Sequence, residues 1–292
     1  MNLHFLGHLF PGSPPHCLLY KSPRAETDPP YPDPEFAPRM QLQLLISMAF
    51  LPLATAFLLS PRPLTARVIG GQESPPRTRP YMAYVQIGSA GSCGGFLIRE
   101  DVVVSAAHCS CNLGNIFVHL GVWDIKNPGQ NWQRIRARRW VQHPDFNNEN
   151  LDNDIMLIKL SHGAELSEWV GPIPLPEADH HVRPGSQCSV AGWGRTGVNT
   201  TTDRLQQAEQ EVVLDGLCRE QYRHYNPSTM LCAGNTNTKK AAFEGDSGGP
   251  LVCDGVVHGI VSNGDPSGHP PSVYTRISKF IPWINETLQK LS

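Results

Sequence analysis

Short runs in which apolar and polar residues alternate fill the chain from Tyr81 to Ile277, and they constrain the fold more than any other feature. Side chains of a β-strand point alternately to opposite faces, so this alternation predicts strands with one buried face. Clusters of glycine, proline and asparagine, which favour turns, separate the runs. Many short strands joined by such turns are typical of an all-β barrel fold. The predicted strands are Tyr81–Ile87, Gly94–Ile98, Val102–Ala107, Phe117–Gly121, Arg134–His143, Asp154–Leu160, Cys188–Trp193, Gln206–Leu214, Met230–Ala233, Pro250–Asp254, Val256–Ser262 and Ser272–Ile277.

One amphipathic helix is predicted at the C-terminus, at about residues 279–291. Its apolar residues recur mostly at steps of three or four, which places them on one helix face that is expected to dock on a barrel. They are Ile277, Phe280, Ile281, Ile284, Leu288 and Leu291. The proline-rich segment Gly171–Pro184 is an expected domain boundary.

Residues 1–67 differ in composition from the rest of the chain. Residues 1–39 are rich in proline and lack a periodic apolar pattern, so they are predicted to be disordered. The apolar stretch Leu44–Leu59 is short for a membrane span and fits the core of a signal peptide, with a cleavage motif at Ala54-Thr55-Ala56. We therefore predict translation from Met40, a signal peptide at 40–56 and a propeptide at 57–67. A membrane anchor at this stretch is the alternative.

The motif Gly245-Asp246-Ser247-Gly248-Gly249 holds one serine hydroxyl between glycines. Without a Cβ, these glycines allow a tight turn on which backbone N–H groups point the same way. Such N–H groups stabilise negative charge that develops on a carbonyl oxygen. A glycine-rich surface turn without chemistry is the alternative, and a base and an orienting acid elsewhere in the chain decide between the two.

His108 and Asp154 supply these two groups. A serine hydroxyl needs a base to attack a peptide bond, and the imidazole of His108, in Ala106-Ala107-His108-Cys109, suits proton transfer in both directions. Asp154 is predicted to be the buried carboxylate that orients this imidazole. Asp152 is its competitor, but Asp154 opens the predicted strand Ile155–Leu160 and Asp152 is expected to be solvated.

The order His108, Asp154, Ser247 in these motifs resembles the chymotrypsin-like serine proteases, from Val68 to the C-terminus. The segments 79–84, 153–157 and 240–243 are most similar to the granule proteases, the group of cathepsin G, the granzymes and the mast-cell chymases. The resemblance implies two six-stranded antiparallel β-barrels, at about residues 68–176 and 177–278, with a C-terminal helix. It also implies a secreted or granule-stored serine endopeptidase that forms an acyl-enzyme and needs no cofactor or metal.

The resemblance also implies how such an enzyme would be activated. Cleavage after Arg67 would free the amino group of Val68, which would pair with the carboxylate of Asp246 and so shape the turn around the serine. The oxyanion would be bound by the backbone N–H groups of Gly245 and Ser247. Arg67 indicates an activator with trypsin-like specificity.

The primary specificity pocket is assigned by the same resemblance. Ala241 would form its base, and it offers no carboxylate to a basic substrate side chain. A neutral pocket favours burial of an apolar side chain, so cleavage after Phe, Tyr, Leu or Met is expected. The predicted substrate-binding residues are Ala241, Ala242, Phe243, Ser262, Asn263, Gly264 and Ser272.

The chain contains eight cysteines, and sequence alone leaves their connectivity open. The resemblance implies the disulfides Cys93–Cys109, Cys188–Cys253 and Cys218–Cys232, which require an oxidising compartment and leave Cys111 unpaired. Two glycosylation sequons begin at Asn199 and Asn285.

The expected partners are protein or peptide substrates and, by the resemblance, protein inhibitors of the serpin type, and the enzyme is expected to be a monomer. No feature favours nucleic-acid binding. Glycosaminoglycan binding is not favoured, because Val68–Ser292 contains more acidic than basic residues. Two alternative functions stay open: an inactive homologue that acts as a binding or antimicrobial protein, and a membrane-tethered protease.

Overall fold

The computed structural model describes residues 20–21, 71–88, 91–110, 115–197, 200–237, 241–242 and 244–292 of the 292-residue chain. These residues form strands, two α-helices (α1 and α2) and one 3₁₀ helix at Ala107–Ser110. The strands are β1 (Tyr20–Lys21), β2 (Gln72–Glu73), β3 (Met82–Ile87), β4 (Gly91–Arg99), β5 (Val102–Ser105), β6 (Ile116–Leu120), β7 (Gln133–Gln142), β8 (Met156–Leu160), β9 (Gln187–Gly192), β10 (Gln206–Glu211), β11 (Met230–Ala233), β12 (Pro250–Cys253), β13 (Val256–Asn263) and β14 (Ser272–Arg276). The helices are α1 (Asp215–Gln221) and α2 (Ile277–Lys290).

Six antiparallel strands form a closed barrel in the first half of the domain. They follow the order β4-β3-β6-β7-β8-β5, and the pairing of β4 with β5 closes the ring. The residues that face the interior are almost all aliphatic or aromatic, as the alternating pattern predicts, and their burial supplies the main stabilising free energy. The strand β1 adds to the edge of β4, where Tyr20 pairs with Ser92.

The second half is an antiparallel sheet of seven strands in the order β11-β14-β13-β12-β9-β10-β2. A single bridge between Val212, which follows β10, and Ala233 of β11 brings the two sides of this sheet together. The six strands predicted for this half are all present, and β2 extends the sheet beyond them through two residues that pair with β10. The prediction of an all-β fold with two barrels and a C-terminal helix is confirmed.

The C-terminal helix begins two residues earlier than predicted, at Ile277, and it docks as expected. Ile277, Phe280 and Ile284 are buried in the same apolar cluster as the interior of the first barrel. The ring of Phe280 meets the imidazole of His143 edge-on, with 5.2 Å between ring centroids. The short helix α1 was not predicted from the sequence.

Three disulfides connect the described residues, and they are the pairs that the family resemblance implies: Cys93–Cys109, Cys188–Cys253 and Cys218–Cys232. The predicted signal peptide at 40–56, the propeptide at 57–67, Cys111 and nearly all of the extension at 1–39 lie outside the described residues. No described helix has the length and apolar character that a membrane crossing requires.

Candidate active site

Asp154 lies fully buried just before β8 and binds His108 through both carboxylate oxygens. Its Oδ1 accepts a hydrogen bond from the backbone N–H of His108 at 2.9 Å, and its Oδ2 lies 2.7 Å from Nδ1 of the imidazole. The hydroxyl of Ser262, on β13 of the second sheet, donates to the same Oδ2 at 2.6 Å. The carboxylate therefore fixes the ring from one side, with Nδ1 as the donor, so Nε2 can accept a proton.

The environment of His108 sets its protonation. Burial alone would lower the pKa of this imidazole, but the charge of Asp154 and its hydrogen bond to Nδ1 together outweigh burial. The pKa of His108 is therefore raised above its ordinary value of 6.5. A base whose pKa lies above that value accepts a proton readily, which is what activation of a hydroxyl requires.

Asp152, the competing carboxylate, has another set of partners. The hydroxyl of Thr229 donates to its Oδ1, and the side-chain amide of Asn226 donates to its Oδ2 at 3.1 Å. Asp152 is partly buried, and these two residues, which precede β11, hold it against the second sheet. This contact ties the loop before Asp154 to the other half of the domain.

The turn that carries Ser247 is anchored on both barrels. The carbonyl of Ser247 accepts a hydrogen bond from the N–H of Gly94 on β4 at 2.8 Å, and the N–H of Gly248 donates to the carbonyl of Val261 on β13 at 2.8 Å. Gly248 has a φ of +84°, and a Cβ there would lie 2.3 Å from the hydroxyl oxygen of Ser105. Only glycine fits this position, so a steric restriction explains why glycine follows the serine.

The disulfide Cys93–Cys109 brings this turn next to His108. Cys109 follows His108, Cys93 precedes Gly94, and the sulfur of Cys109 lies 3.9 Å from the carbonyl oxygen of Ser247. Hydrogen bonds thus join His108, Asp154 and Ser262 directly. Ser247 is held near them by the main-chain contacts of its turn and by the disulfide. Cys93, His108 and Cys109 are close enough to resemble a metal site. Disulfide sulfurs are not thiolates, however, and so this group does not fit a metal ion.

The carboxylate of Asp246 lies under the same turn and is almost fully buried. Its Oδ1 accepts a hydrogen bond from the N–H of Gly194 at 2.9 Å, and a Cβ on Gly192 or Gly194 would come within 2.6 Å of that oxygen. Gly245 has a φ of +98° and packs against Gly194. The predicted activation residues Arg67 and Val68 lie outside the described residues.

Of the residues assigned to the specificity pocket, Ser262, Asn263 and Ser272 lie on β13 and β14, and Ala242 packs in the apolar cluster of the same half. Ala241, Ala242 and Ser272 are buried. A Cβ placed on Gly264 would lie 3.7 Å from both the carbonyl oxygen of Ala242 and the hydroxyl oxygen of Ser272, so these three residues are neighbours. Phe243 lies outside the described residues.

A cleft of about 220 Å³ adjoins the site beside Ser262 and Asn263. The apolar side chains of Leu151, Met230 and Val273 contribute to its wall. A cleft of this kind next to the buried acid can receive residues of an extended substrate.

One functional contact was missed from the sequence, the hydrogen bond from Ser262 to Asp154. The sequence predicts Ser262 only as a substrate-binding residue, because no local pattern reports which way its hydroxyl points. Of the two sequons, Asn285 is exposed on α2, while Asn199 lies outside the described residues.

Comparisons with known proteins agree with this geometry. The Trypsin family model matches residues 68–284. Duodenase-1 of Bos taurus is 48% identical over 238 residues, covering 80% of this chain and 94% of the relative. Cathepsin G of Homo sapiens is 47% identical over 240 residues, covering 81% and 93%, and granzyme B of Homo sapiens is 44% identical over 243 residues, covering 82% and 98%.

A solved structure, "Structure of GrC", superposes with a TM-score of 0.72 at 39% identity and covers 75% of this chain and 99% of that one. The family match spans well over half of the chain, and the relatives are matched along nearly their whole length. The chain therefore belongs to the trypsin family of serine endopeptidases, in the group that contains cathepsin G, the chymases and the granzymes.

Proposed function

We propose that this protein is a secreted or granule-stored serine endopeptidase in which Ser247, His108 and Asp154 hydrolyse peptide bonds through an acyl-enzyme. The two hydrogen bonds from His108 to the buried Asp154 carry the proposal, because they leave Nε2 as the proton acceptor. His108 takes the proton of Ser247 as its Oγ attacks the carbonyl carbon, and then gives it to the leaving amine. Water, activated by the same imidazole, releases the acid and restores the serine.

The oxyanion of each tetrahedral intermediate is proposed to bind the N–H groups of Gly245 and Ser247. Among the described residues, neither N–H donates to a backbone carbonyl, and this supports the proposal. Each such donor contributes about 3 kcal/mol in the transition state. The positive φ of Gly245 and Gly248 supports this geometry on either side of the serine.

The substrates are proposed to be proteins or peptides cleaved after an apolar or aromatic residue. With alanine at 241 and 242 the pocket has no carboxylate for Lys or Arg, and Ser272 offers no cation for Asp. Burying an unpaired charge costs several kcal/mol, whereas burying an aromatic ring is favourable. The proposed inhibitors are proteins of the serpin type, and the proposed active form is a monomer.

Peptides that differ only in the residue before the scissile bond test this specificity. We expect kcat/KM for Phe, Tyr, Leu and Met to exceed that for Arg, Lys and Asp by about 10²-fold, because the pocket leaves a charge unpaired. Ala241→Asp is the matched control and should gain cleavage after Arg and Lys. Faster cleavage after Arg, Lys or Asp by the unaltered enzyme would contradict the pocket assignment.

Activation is proposed to require cleavage after Arg67, which frees Val68 to pair with Asp246. The burial of Asp246 beneath the Ser247 turn supports this, because a cation that pairs with a buried carboxylate interacts with it more strongly than in water and lies beside the turn it would shape. N-terminal sequencing of active protein is expected to read Val-Ile-Gly-Gly. Active protein that retains the residues before Val68, or that begins at another position, would refute this step.

A further inference from the structure

Two walls from different halves of the domain line the cleft beside Ser262 and Asn263. One wall is the loop before Asp154, which contributes residues 149–151. The other wall belongs to the second half and contains residues 221–225 and Met230. The shape of the cleft therefore depends on how this loop is held against the second half.

The carboxylate of Asp152, directly after the first wall, links the two walls. It accepts hydrogen bonds from the hydroxyl of Thr229 and, at 3.1 Å, from the side-chain amide of Asn226. Asn226 follows Tyr225 and Thr229 precedes Met230, so both donors adjoin residues of the second wall. Hydrogen bonds to a carboxylate are stronger than those between neutral groups, so this pair of bonds, the Asp152 contact, holds the walls together effectively.

The backbone on both sides of Asp152 has an unfavourable conformation. Leu151 has a φ of 58° and Asn153 a φ of 57°, in the left-handed region that a bulky side chain such as leucine rarely adopts. Such a conformation persists only where surrounding contacts hold it. Besides the contact with the second wall, the backbone carbonyl of Asp152 accepts the N–H of Asn147 at 3.0 Å, and its Oδ1 accepts the N–H of Asn153 at 3.1 Å.

We propose that Asp152 is a positioning residue for extended substrates, because its contact with Thr229 and Asn226 fixes the cleft in the shape that binds substrate residues outside the primary pocket. Without this contact, the left-handed turn at Leu151 is expected to relax, and Leu151 is part of the cleft wall. A peptide that reaches the cleft must then restore its shape on binding, which weakens its affinity. This inference rests on the proposed function and adds to it a residue that does not touch the substrate.

Substrate length tests the inference. For Asp152→Ala we expect KM of a peptide of about ten residues with a central Phe to rise about tenfold with kcat nearly unchanged, because binding outside the reacting bond is lost. For a Phe ester that fills only the primary pocket, kcat/KM should change by less than about twofold, since its transition state makes no contact with the cleft. The matched control is Asp101→Ala. It removes a partly buried carboxylate that binds Arg99 and Lys159 in the first barrel, and it should change neither substrate.

Thr229→Val removes the Asp152 contact from the other side and nearly keeps the shape of the side chain, so it serves as a second variant if Asp152→Ala does not fold. We expect the KM of the long peptide to rise in Thr229→Val as well, with the ester again unaffected. The double variant should be no worse than Asp152→Ala alone, because both changes remove the same contact. Effects that multiply in the double variant would refute the contact as their common cause.

The outcomes separate this inference from the function on which it rests. If both variants slow the long peptide and the ester equally, or if the KM of the long peptide does not change, the positioning role of Asp152 is refuted and the protease proposal stands. If the unaltered enzyme cleaves neither substrate and a serine-directed covalent probe does not label Ser247, the proposed function fails and the inference with it.

Discussion

Ser247→Ala is expected to lower kcat by about 10⁶ while the protein keeps its fold. The proposed nucleophile is lost, whereas the main-chain contacts that hold the turn are not, because the carbonyl of Ser247 still accepts the N–H of Gly94 and Gly248 is unchanged. Substrate binding should therefore survive the change. Activity on a Tyr- or Phe-ending peptide and labelling by a serine-directed covalent probe are the two measurements, and both should be abolished.

The matched control is Ser161→Ala, which removes an exposed serine from the first barrel and should retain full activity and labelling. This comparison also decides between an enzyme and an inactive homologue that acts as a binding protein. A protein that binds without hydrolysis would give no probe labelling before the substitution. Labelling that persists in Ser247→Ala would place the nucleophile at another residue.

The strands could be predicted because each carries its own pattern. On β7, Ile135 and Ala137 are buried while Arg134, Arg136 and Arg138 are exposed, so alternation along the sequence reports the two faces directly. The same holds for the terminal helix, whose apolar face has the helical period. Burial and sequence agree wherever one face of an element meets the core.

The elements missed from the sequence have no such pattern. The helix α1 spans seven residues, has no side-chain cap at Leu214 and buries only Cys218, so it carries too little periodicity to be recognised. The disulfide from Cys218 to Cys232 and packing around it hold the helix in place. The strand β2 has two residues and exists because β10 offers an edge. Tertiary contacts determine both elements.

The candidate site likewise contains residues that the sequence predicts and residues that it does not. The motifs around His108, Asp154 and Ser247 have a local chemical cause, since the turn requires glycine at 248 and the acid lies just before the strand β8. The partners that position the acid come from other parts of the chain. Ser262 and Thr229 reach the two aspartates only after the two sheets pack together, so no local signal identifies them.

Asp154→Asn is expected to lower kcat by about 10⁴, the second largest effect. Three donors converge on this carboxylate: the backbone N–H of His108, its Nδ1–H and the hydroxyl of Ser262. An amide provides one acceptor oxygen and one NH₂ group. The NH₂ group of the asparagine in Asp154→Asn would therefore have to face at least one of the groups that now donate to the carboxylate. If the NH₂ group faces Nδ1, the ring keeps its proton on Nε2 and cannot accept the proton of Ser247.

The pH profile gives this prediction a readout that a merely structural change would not move. The base form of His108 is neutral, and its pKa is raised above 6.5, so kcat/KM of the unaltered enzyme should fall as the pH drops through a value above 6.5. Asp154→Asn removes the charge and leaves burial, which lowers the pKa of an imidazole. The acidic limb of the residual activity should therefore move to lower pH.

Asp152→Asn is the matched control, because it makes the same chemical change two residues away. Asp152 holds Thr229 and Asn226 and does not contact His108, so its substitution can loosen the loop before the acid without removing the charge beside the imidazole. Activity should fall far less than in Asp154→Asn, and the acidic limb should stay in place. If instead the limb moves only in Asp152→Asn, the orienting carboxylate has been assigned to the wrong residue. If it moves in neither variant, the charge of Asp154 does not govern the titration of His108.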